Sequence, residues 1–250
     1  ESSAYDTKYI LALANSKYLL SFARANLARH KIWITEEAWR RAPIRRIQFT
    51  TEAKKRQSLL EMLRSMYLEG WDTASQMKAF LVRIDGLLSK QSRTEVPTQP
   101  QSGSELLEES DVVHDILVFL VSEMIALNLG ARSEAKRFVL WLETKLKVPM
   151  PSGNRLLESV FRSHIGDYRD EPKVEPFDQF MSVIQKGRNN LGVSASQPNL
   201  VSELRKEYEK SESDLLPFKR RLAATDRLID QIVYRLYGLT EEEIRIVEGK

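Results

Sequence analysis

Large apolar side chains recur every three or four residues along most of this chain, and that spacing predicts amphipathic α-helices. One segment differs, because Lys31–Ile34 alternates in β-friendly residues and predicts a short strand. The sequence therefore predicts a mainly α fold, with a multi-helix, bundle-like C-terminal domain and a small α+β N-terminal part. The predicted helical segments are 7–27, 51–70, 73–88, 112–129, 133–146, 177–186 and 200–216, with a helix, a turn and a second helix at the end.

The closing stretch "TDRLIDQIVYRLYGLTEEEIRIVEGK" carries unusually definite local signals. Gly238 lies where a left-handed residue ends a helix, and Thr240 with Glu243 has the spacing of a capping box. We therefore expect this end of the chain to be folded and packed against the rest. The apolar residues that fall on one face of the first closing helix are Leu228, Ile229, Ile232, Val233 and Leu236.

The amino-acid composition changes along the chain, and these changes predict the domain boundaries. Residues 90–109 include a run poor in large apolar side chains and rich in Gln, Ser, Thr and Pro, which cannot offset its own ordering entropy. Pro217 is expected to kink the helical segment 200–216 or to separate it from the closing helices. The predicted division is 1–50 for the N-terminal part, 51–89 for connecting helices, 90–109 for a flexible linker and 110–250 for a helical C-terminal domain.

The overall composition limits the classes of protein to which this chain can belong. The 250 residues are 42% hydrophobic, enough to bury a core in one or two domains. The absence of cysteine excludes disulfides and thiolate metal sites, and it fits a reducing cytoplasmic setting. The longest apolar run, Ile116–Val121, is far shorter than the roughly 18 to 20 residues of a membrane span, so we expect no membrane partner. Because the chain begins at Glu1 rather than Met, we expect it to be a piece of a longer protein.

Positive charge is concentrated in one region, although the net charge is only +3. Between Arg24 and Arg56, ten cations stand against three carboxylates, with Trp33 and Trp39 among them. Since Arg and Lys contact phosphates and aromatic rings stack or wedge, this pattern indicates duplex DNA binding. Alternatively, the tryptophans belong to the core and the arginines form a solvated rim. The candidate DNA-binding residues are Arg24, Arg29, Lys31, Arg40, Arg41, Arg45 and Arg46, with a second patch at Lys219, Arg220 and Arg221.

No constellation in the sequence predicts catalysis by this chain. A glycine-rich nucleotide loop and an Asn/Asp-Pro-Pro-aromatic motif are both missing. The several Glu-x-Lys triplets are typical of solvated helix faces, since none follows a Pro-Asp on a strand. His30, His114 and His164 lack neighbours at metal-ligand spacing. We therefore predict no enzyme activity, no catalytic residue, no metal and no cofactor within this chain.

Three segments together resemble a known family. The closing stretch is similar to the C-terminal signature of large bacterial adenine-specific DNA methyltransferases, including type IIG restriction-modification enzymes and related phage-defence methylases. The stretch "VVHDILVFLVSEMIALNLGARSEAKRFVLWLETKLKV" resembles the helical region before that signature. "KYILALANSKYLLSFAR", followed by "RRAPIRRI", resembles the end of the family's target-recognition domain, where a helix precedes an apolar-Pro-Ile step.

The resemblance implies a role within a larger enzyme. An upstream domain would bind S-adenosylmethionine, flip an adenine and methylate its N6, while this chain would hold and read double-stranded DNA. Residues 1–50 would then be the end of the target-recognition domain, and the upstream methyltransferase domain would be a partner. The alternative is a helical scaffold that braces the catalytic domain or binds a partner subunit without contacting DNA.

Overall fold

The computed structural model describes residues 5–27, 40–70, 73–88, 108–149, 154–169, 176–187, 189 and 191–250. Within these ranges the chain forms nine α-helices and no strand, which confirms the predicted mainly α, multi-helix class. The strand predicted at Lys31–Ile34 lies outside the described residues. The helices are α1 Thr7–Asn15, α2 Lys17–Leu27, α3 Ala53–Leu68, α4 Ala74–Leu88, α5 Ser110–Leu146, α6 Asn154–Ile165, α7 Phe177–Lys186, α8 Pro198–Tyr237 and α9 Glu241–Glu248.

The chain divides into two compact units that are not consecutive in sequence. Unit 1 comprises Glu1–Glu123 and Thr225–Lys250, and unit 2 comprises Met124–Ala224. The N-terminal part and the closing helices therefore share one unit, whereas the sequence-based division assigned them to different domains. The helices α5 and α8 each supply residues to both units, and this is why composition along the chain did not reveal the division.

The first helical segment is interrupted at Ser16, so the single helix predicted for 7–27 is wrong. Ser16 has an extended backbone (φ −65°, ψ 146°), and its hydroxyl donates to the carbonyl of Leu13 at 2.7 Å. A hydroxyl that binds the preceding turn competes with the helical hydrogen-bond ladder. The next helix, α2, begins with the Lys17 N–H donating to Asp230 Oδ1 at 2.8 Å. The Ser16 hydroxyl also accepts from the Leu19 N–H at 3.3 Å as a local cap of α2, so the buried Asp230 carboxylate from α8 adds to that cap.

The N-terminal part of α5 is a core element of unit 1. Asp111 accepts hydrogen bonds from the Thr51 N–H (2.9 Å) and hydroxyl (2.6 Å), which secures the first turn. One turn later, Asp115 pairs with Arg56; burial alone would raise the Asp115 pKa, but hydrogen bonds from His114 and Arg56 lower it. The fully buried apolar residues of this part are Val112, Val113, Ile116, Leu117 and Leu120.

Taken by length and composition alone, α5 is apolar enough to cross a membrane. It is the one helix among the described residues that meets this criterion, which core helices of soluble proteins also meet. The sequence-based estimate found no span because it measured only the uninterrupted apolar run. The charged partners of Asp111 and Asp115 and the burial around them fit a core helix.

Unit 2 packs α6, α7 and parts of α5 and α8 around an apolar cluster. The sequence predicts two helices on either side of Gly130, but α5 runs through it without a break, so that prediction is wrong. A Cβ atom built at Gly130 would lie 2.5 Å from the Phe218 ring. The glycine thus allows a close approach of α8 rather than ending a helix. Buried members of the cluster include Phe138, Leu142, Leu146, Val160, Phe180, Ile184, Leu204 and Tyr208.

Pro217 does not separate the late helices, because α8 is continuous from Pro198 to Tyr237. Its ring removes one backbone donor and would be expected to break an isolated helix. Here Leu215 and Leu222 on either side are almost fully buried, so tertiary packing outweighs the local cost. The helix predicted at 177–186 is confirmed by α7.

The predicted closing helix, turn and helix are confirmed in atomic detail. Gly238 has a left-handed φ of 65° after α8, as its place in the sequence predicts. The Thr240 side chain accepts from the Glu243 N–H, and the Glu243 carboxylate accepts from the Thr240 N–H, so the capping box is complete. This end of the chain is folded because its signals are local ones that neighbouring residues satisfy.

Candidate nucleic-acid interface

A segment without regular secondary structure, residues 43–50, is held in unit 1 by a tyrosine from the end of α8. The Tyr237 hydroxyl donates to the Pro43 carbonyl at 2.5 Å and accepts from the Arg45 N–H at 3.1 Å. Burial raises the pKa of Tyr237, which keeps the hydroxyl protonated and able to donate. Its ring also packs against Tyr18, with centroids 4.6 Å apart. The closing signature and the Pro43-Ile44 step, two of the segments that carry the resemblance, therefore touch.

Two further tyrosines continue the attachment of the same segment. The Tyr9 hydroxyl donates to the Arg45 carbonyl at 3.1 Å, and the Ile47 N–H donates to the Tyr5 hydroxyl at 3.1 Å. Burial raises the pKa of Tyr9 well above its ordinary value. A backbone segment that belongs to no helix or sheet needs other partners for its polar groups. Tyrosine hydroxyls supply them at Pro43, Arg45 and Ile47.

Two adjacent arginines of this segment have different environments. Arg45 Nη2 lies 2.7 and 2.8 Å from the two carboxylate oxygens of Glu108, so its charge is paired within unit 1. Arg46 is exposed and makes no ion pair or hydrogen bond within the described part of the chain. Ile47, the next residue, is buried. Of this pair, Arg46 presents its charge to solvent and Arg45 does not.

The remaining predicted cations of the N-terminal cluster are distributed as follows. Arg40 and Arg41 are exposed shortly before the segment 43–50. Arg24 is exposed on α2 and, like Arg46, has no partner among the described residues. Arg29 and Lys31, together with Trp33 and Trp39, lie outside the described residues.

The second predicted patch, on α8 in unit 2, is only partly available to a ligand. Lys219 is buried, donates to the His164 carbonyl at 2.8 Å and lies 3.6 Å from Glu212 Oε2. This corrects the prediction that Lys219 is a surface cation, because the apolar face of α8 carries it inward. Arg220 is exposed and Arg221 is half-buried.

The same region places a serine, a histidine and a glutamate next to one another. His164 Nε2 is hydrogen-bonded to Ser211 Oγ at 2.8 Å, whereas His164 Nδ1 lies 2.9 Å from Glu212 Oε1 without hydrogen-bond geometry. A hydrolytic triad needs both hydrogen bonds, and its serine must face a substrate. Ser211 is fully buried in the middle of α8, and the neighbouring cavity of about 10 Å³ is near the minimum for one water molecule. The arrangement therefore has the geometry of an internal polar network.

Sequence reasoning missed both the tyrosine attachments and this buried network. For the network a signal existed, because Glu212 and Lys219 fall on the α8 face that also carries Leu204, Tyr208 and Leu215. Charges on an apolar stripe indicate buried pairing. The tyrosine contacts join residues as far as 194 positions apart, and no local pattern encodes them. Among the described residues, no group of three or more His, Asp or Glu side chains could hold a metal ion.

Comparisons with known proteins add no family assignment. No protein-family model, no curated protein and no solved structure matches this chain.

Proposed function

We propose that this chain is a non-catalytic, DNA-binding and target-recognition region of a bacterial adenine-N6 DNA methyltransferase of the restriction-modification type. The proposal joins the resemblance of three sequence segments to one structural observation. That observation is an unpaired, exposed Arg46 on a segment, residues 43–50, whose backbone is held by Tyr237, Tyr9 and Tyr5.

A fixed backbone favours recognition because little backbone entropy of this segment remains to be lost on binding. Arg46, with Arg40 and Arg41 before it, would contact phosphates or guanine edges of a duplex. Arg24 would add a phosphate contact from α2. Arg220, on unit 2, is a separate candidate for a phosphate contact. Arg45 would act indirectly, since its pairing with Glu108 holds the segment in place.

The methyltransferase chemistry would belong to an upstream domain of the parent protein. That domain would bind S-adenosylmethionine and the flipped adenine, whereas this chain would hold the flanking duplex. Such a protein would act in the bacterial cytoplasm, for instance in defence against phage.

The test measures duplex binding by fluorescence anisotropy with a mixed-sequence DNA at several salt concentrations. If Arg46 contacts a phosphate, Arg46→Ala should weaken binding and reduce the log–log salt slope by about 0.9. Arg83→Ala is a matched control, because Arg83 is also an exposed arginine of unit 1 without a recorded partner. Equal slopes for the two variants would refute the role of Arg46, and no salt-dependent binding by the unmodified chain would refute DNA contact by this region alone.

A helical scaffold is the second candidate, favoured by the inward pairing of Arg45 and Lys219. Each of these cations pairs with a glutamate of its own unit, which is what we expect of a module whose charges stabilise its fold. A scaffold would bind the upstream methyltransferase domain in the absence of DNA. Co-purification of the two separately expressed pieces, with no anisotropy change on adding DNA, would favour this alternative.

A further inference from the structure

One face of α5 within unit 2 is exposed along its length although it carries large apolar residues. Ile125, Leu129 and Leu140 are 43%, 64% and 52% exposed. At 3.6 residues per turn, they and the exposed cations Arg132 and Lys136 fall within an arc of about 80°. We call these five residues the α5 stripe. It extends about 22 Å along the helix, since each residue rises by about 1.5 Å.

The charges of the α5 stripe differ from those of neighbouring cations on the same helix. Arg137 lies 2.6 Å from Glu134 and 2.8 Å from Glu207, and Lys145 lies 2.8 Å from Glu203. Arg132 and Lys136 have no acidic partner within the described part of the chain. The stripe thus combines uncovered apolar surface with two exposed cations that have no acidic partner among the described residues.

We propose that the α5 stripe is a docking surface for an acidic amphipathic α-helix of another protein. A straight ridge of this length matches a helix of about four turns, whose apolar residues would cover Ile125, Leu129 and Leu140. Glutamates or aspartates between them would pair with Arg132 and Lys136, which supplies orientation and specificity. The inference is independent of DNA binding, since it concerns no residue assigned to the nucleic-acid interface.

Charge distinguishes this occupant from two others. A second copy of the chain placed stripe against stripe would bring four unpaired cations together. An anionic membrane would also attract the cations, but two of them are few for stable surface binding, which usually needs a polybasic cluster. An acidic amphipathic helix would cover the apolar residues and pair with the cations.

The test uses the full chain and a synthetic, fluorescent helical peptide of about 18 residues, with leucines and glutamates spaced to match the stripe. A second peptide carries lysines in place of the glutamates. We expect measurable binding of the acidic peptide and at least fivefold weaker binding of the lysine peptide. Equal binding of the two peptides, or no binding of the acidic one, would overturn the proposal.

Variants connect the binding to the stripe. Leu129→Ser and the double change Arg132→Ala with Lys136→Ala should each weaken peptide binding about fivefold or more. Matched controls are Val82→Ser, at a similarly exposed apolar residue of unit 1, and Lys206→Ala, at an exposed cation of α8. All five sites are exposed, so far-UV circular dichroism should report unchanged helix content. Controls that weaken binding as much as the stripe variants would refute the location.

The other occupants are tested in parallel. Because the chain has no cysteine, Ser133→Cys places a single thiol on the exposed surface beside the stripe. We expect it to form no more disulfide-linked dimer than Ser202→Cys, an exposed control on α8. Selective dimerisation of the Ser133→Cys variant would assign the stripe to a second copy. Binding to anionic phospholipid vesicles that Leu129→Ser abolishes would assign it to a membrane.

Discussion

The buried ion pair of unit 2 leads to the most demanding prediction, the replacement of Lys219 by methionine. Methionine keeps the length of the side chain but removes the charge and the donor. The Lys219 ammonium lies 2.8 Å from the His164 carbonyl oxygen and 3.6 Å from Glu212 Oε2, with both charged side chains less than 10% exposed. The substitution therefore leaves a buried carboxylate without its cation.

The expected loss of stability depends on the charge that remains buried after the substitution. Removing one partner of a buried pair costs about 3–5 kcal/mol, because the other charge stays desolvated and unpaired. For a chain of this size, a loss of that kind corresponds to a decrease in Tm of roughly 6–20 °C. Urea unfolding followed by circular dichroism should show a lower midpoint with an unchanged slope.

Two further variants separate charge pairing from simple loss of packing. Lys145→Met removes an exposed cation paired with Glu203 and should cost about 1 kcal/mol or less. Adding Glu212→Gln to Lys219→Met removes the stranded charge and should recover about 1–3 kcal/mol of the loss. If Lys219→Met costs no more than Lys145→Met, or if the double variant recovers nothing, buried charge pairing does not stabilise unit 2.

Three other substitutions probe backbone and hydroxyl contacts, each measured by urea unfolding unless stated. Pro217→Ala should stabilise the chain by about 1–3 kcal/mol, because it restores a helical donor at an exposed position within α8; unchanged stability would show that α8 has adapted fully to the proline. Lys147→Gly should stabilise by about 0.5–1 kcal/mol, since Lys147 adopts a left-handed φ of 48° at the end of α5, and a loss would contradict this assignment. Tyr237→Phe should cost about 1–3 kcal/mol by leaving the Pro43 carbonyl without its donor, and it should accelerate limited proteolysis within residues 43–50; equal cleavage rates would refute the anchoring role.

Elements set by neighbouring residues were predictable from the sequence. The capping box of Thr240 and Glu243 involves residues three apart, and the helix-ending Gly238 needs only its own freedom to adopt a positive φ. The boundaries of α7 likewise follow from an apolar pattern between Pro176 and Gly187. Such signals are satisfied within one or two turns, and distant residues did not change them.

Elements decided by distant contacts were not predictable. Gly130 and Pro217 resemble helix breaks in sequence, yet both lie within continuous helices because α5 and α8 pack closely around Phe218. In both cases packing against another element outweighed the local preference, which is worth about 1–3 kcal/mol at most. Ser16 is different, because its hydroxyl accepts from the Leu19 N–H as a local cap of α2, while Asp230 accepts from the Lys17 N–H.

In the candidate interface, two adjacent arginines show the limit between what local sequence predicts and what distant contacts decide. From the sequence alone, Arg45 and Arg46 are equivalent candidates for DNA contact, since both are cations of the same cluster. In the structure Arg45 is partly buried and paired with Glu108, Arg46 is exposed, and Ile47 is buried. Tyr237, Tyr9 and Tyr5 hold the backbone of this segment through contacts that no local pattern encodes. Replacing both arginines together would confuse a loss of folding with a loss of binding, whereas Arg46→Ala tests binding alone.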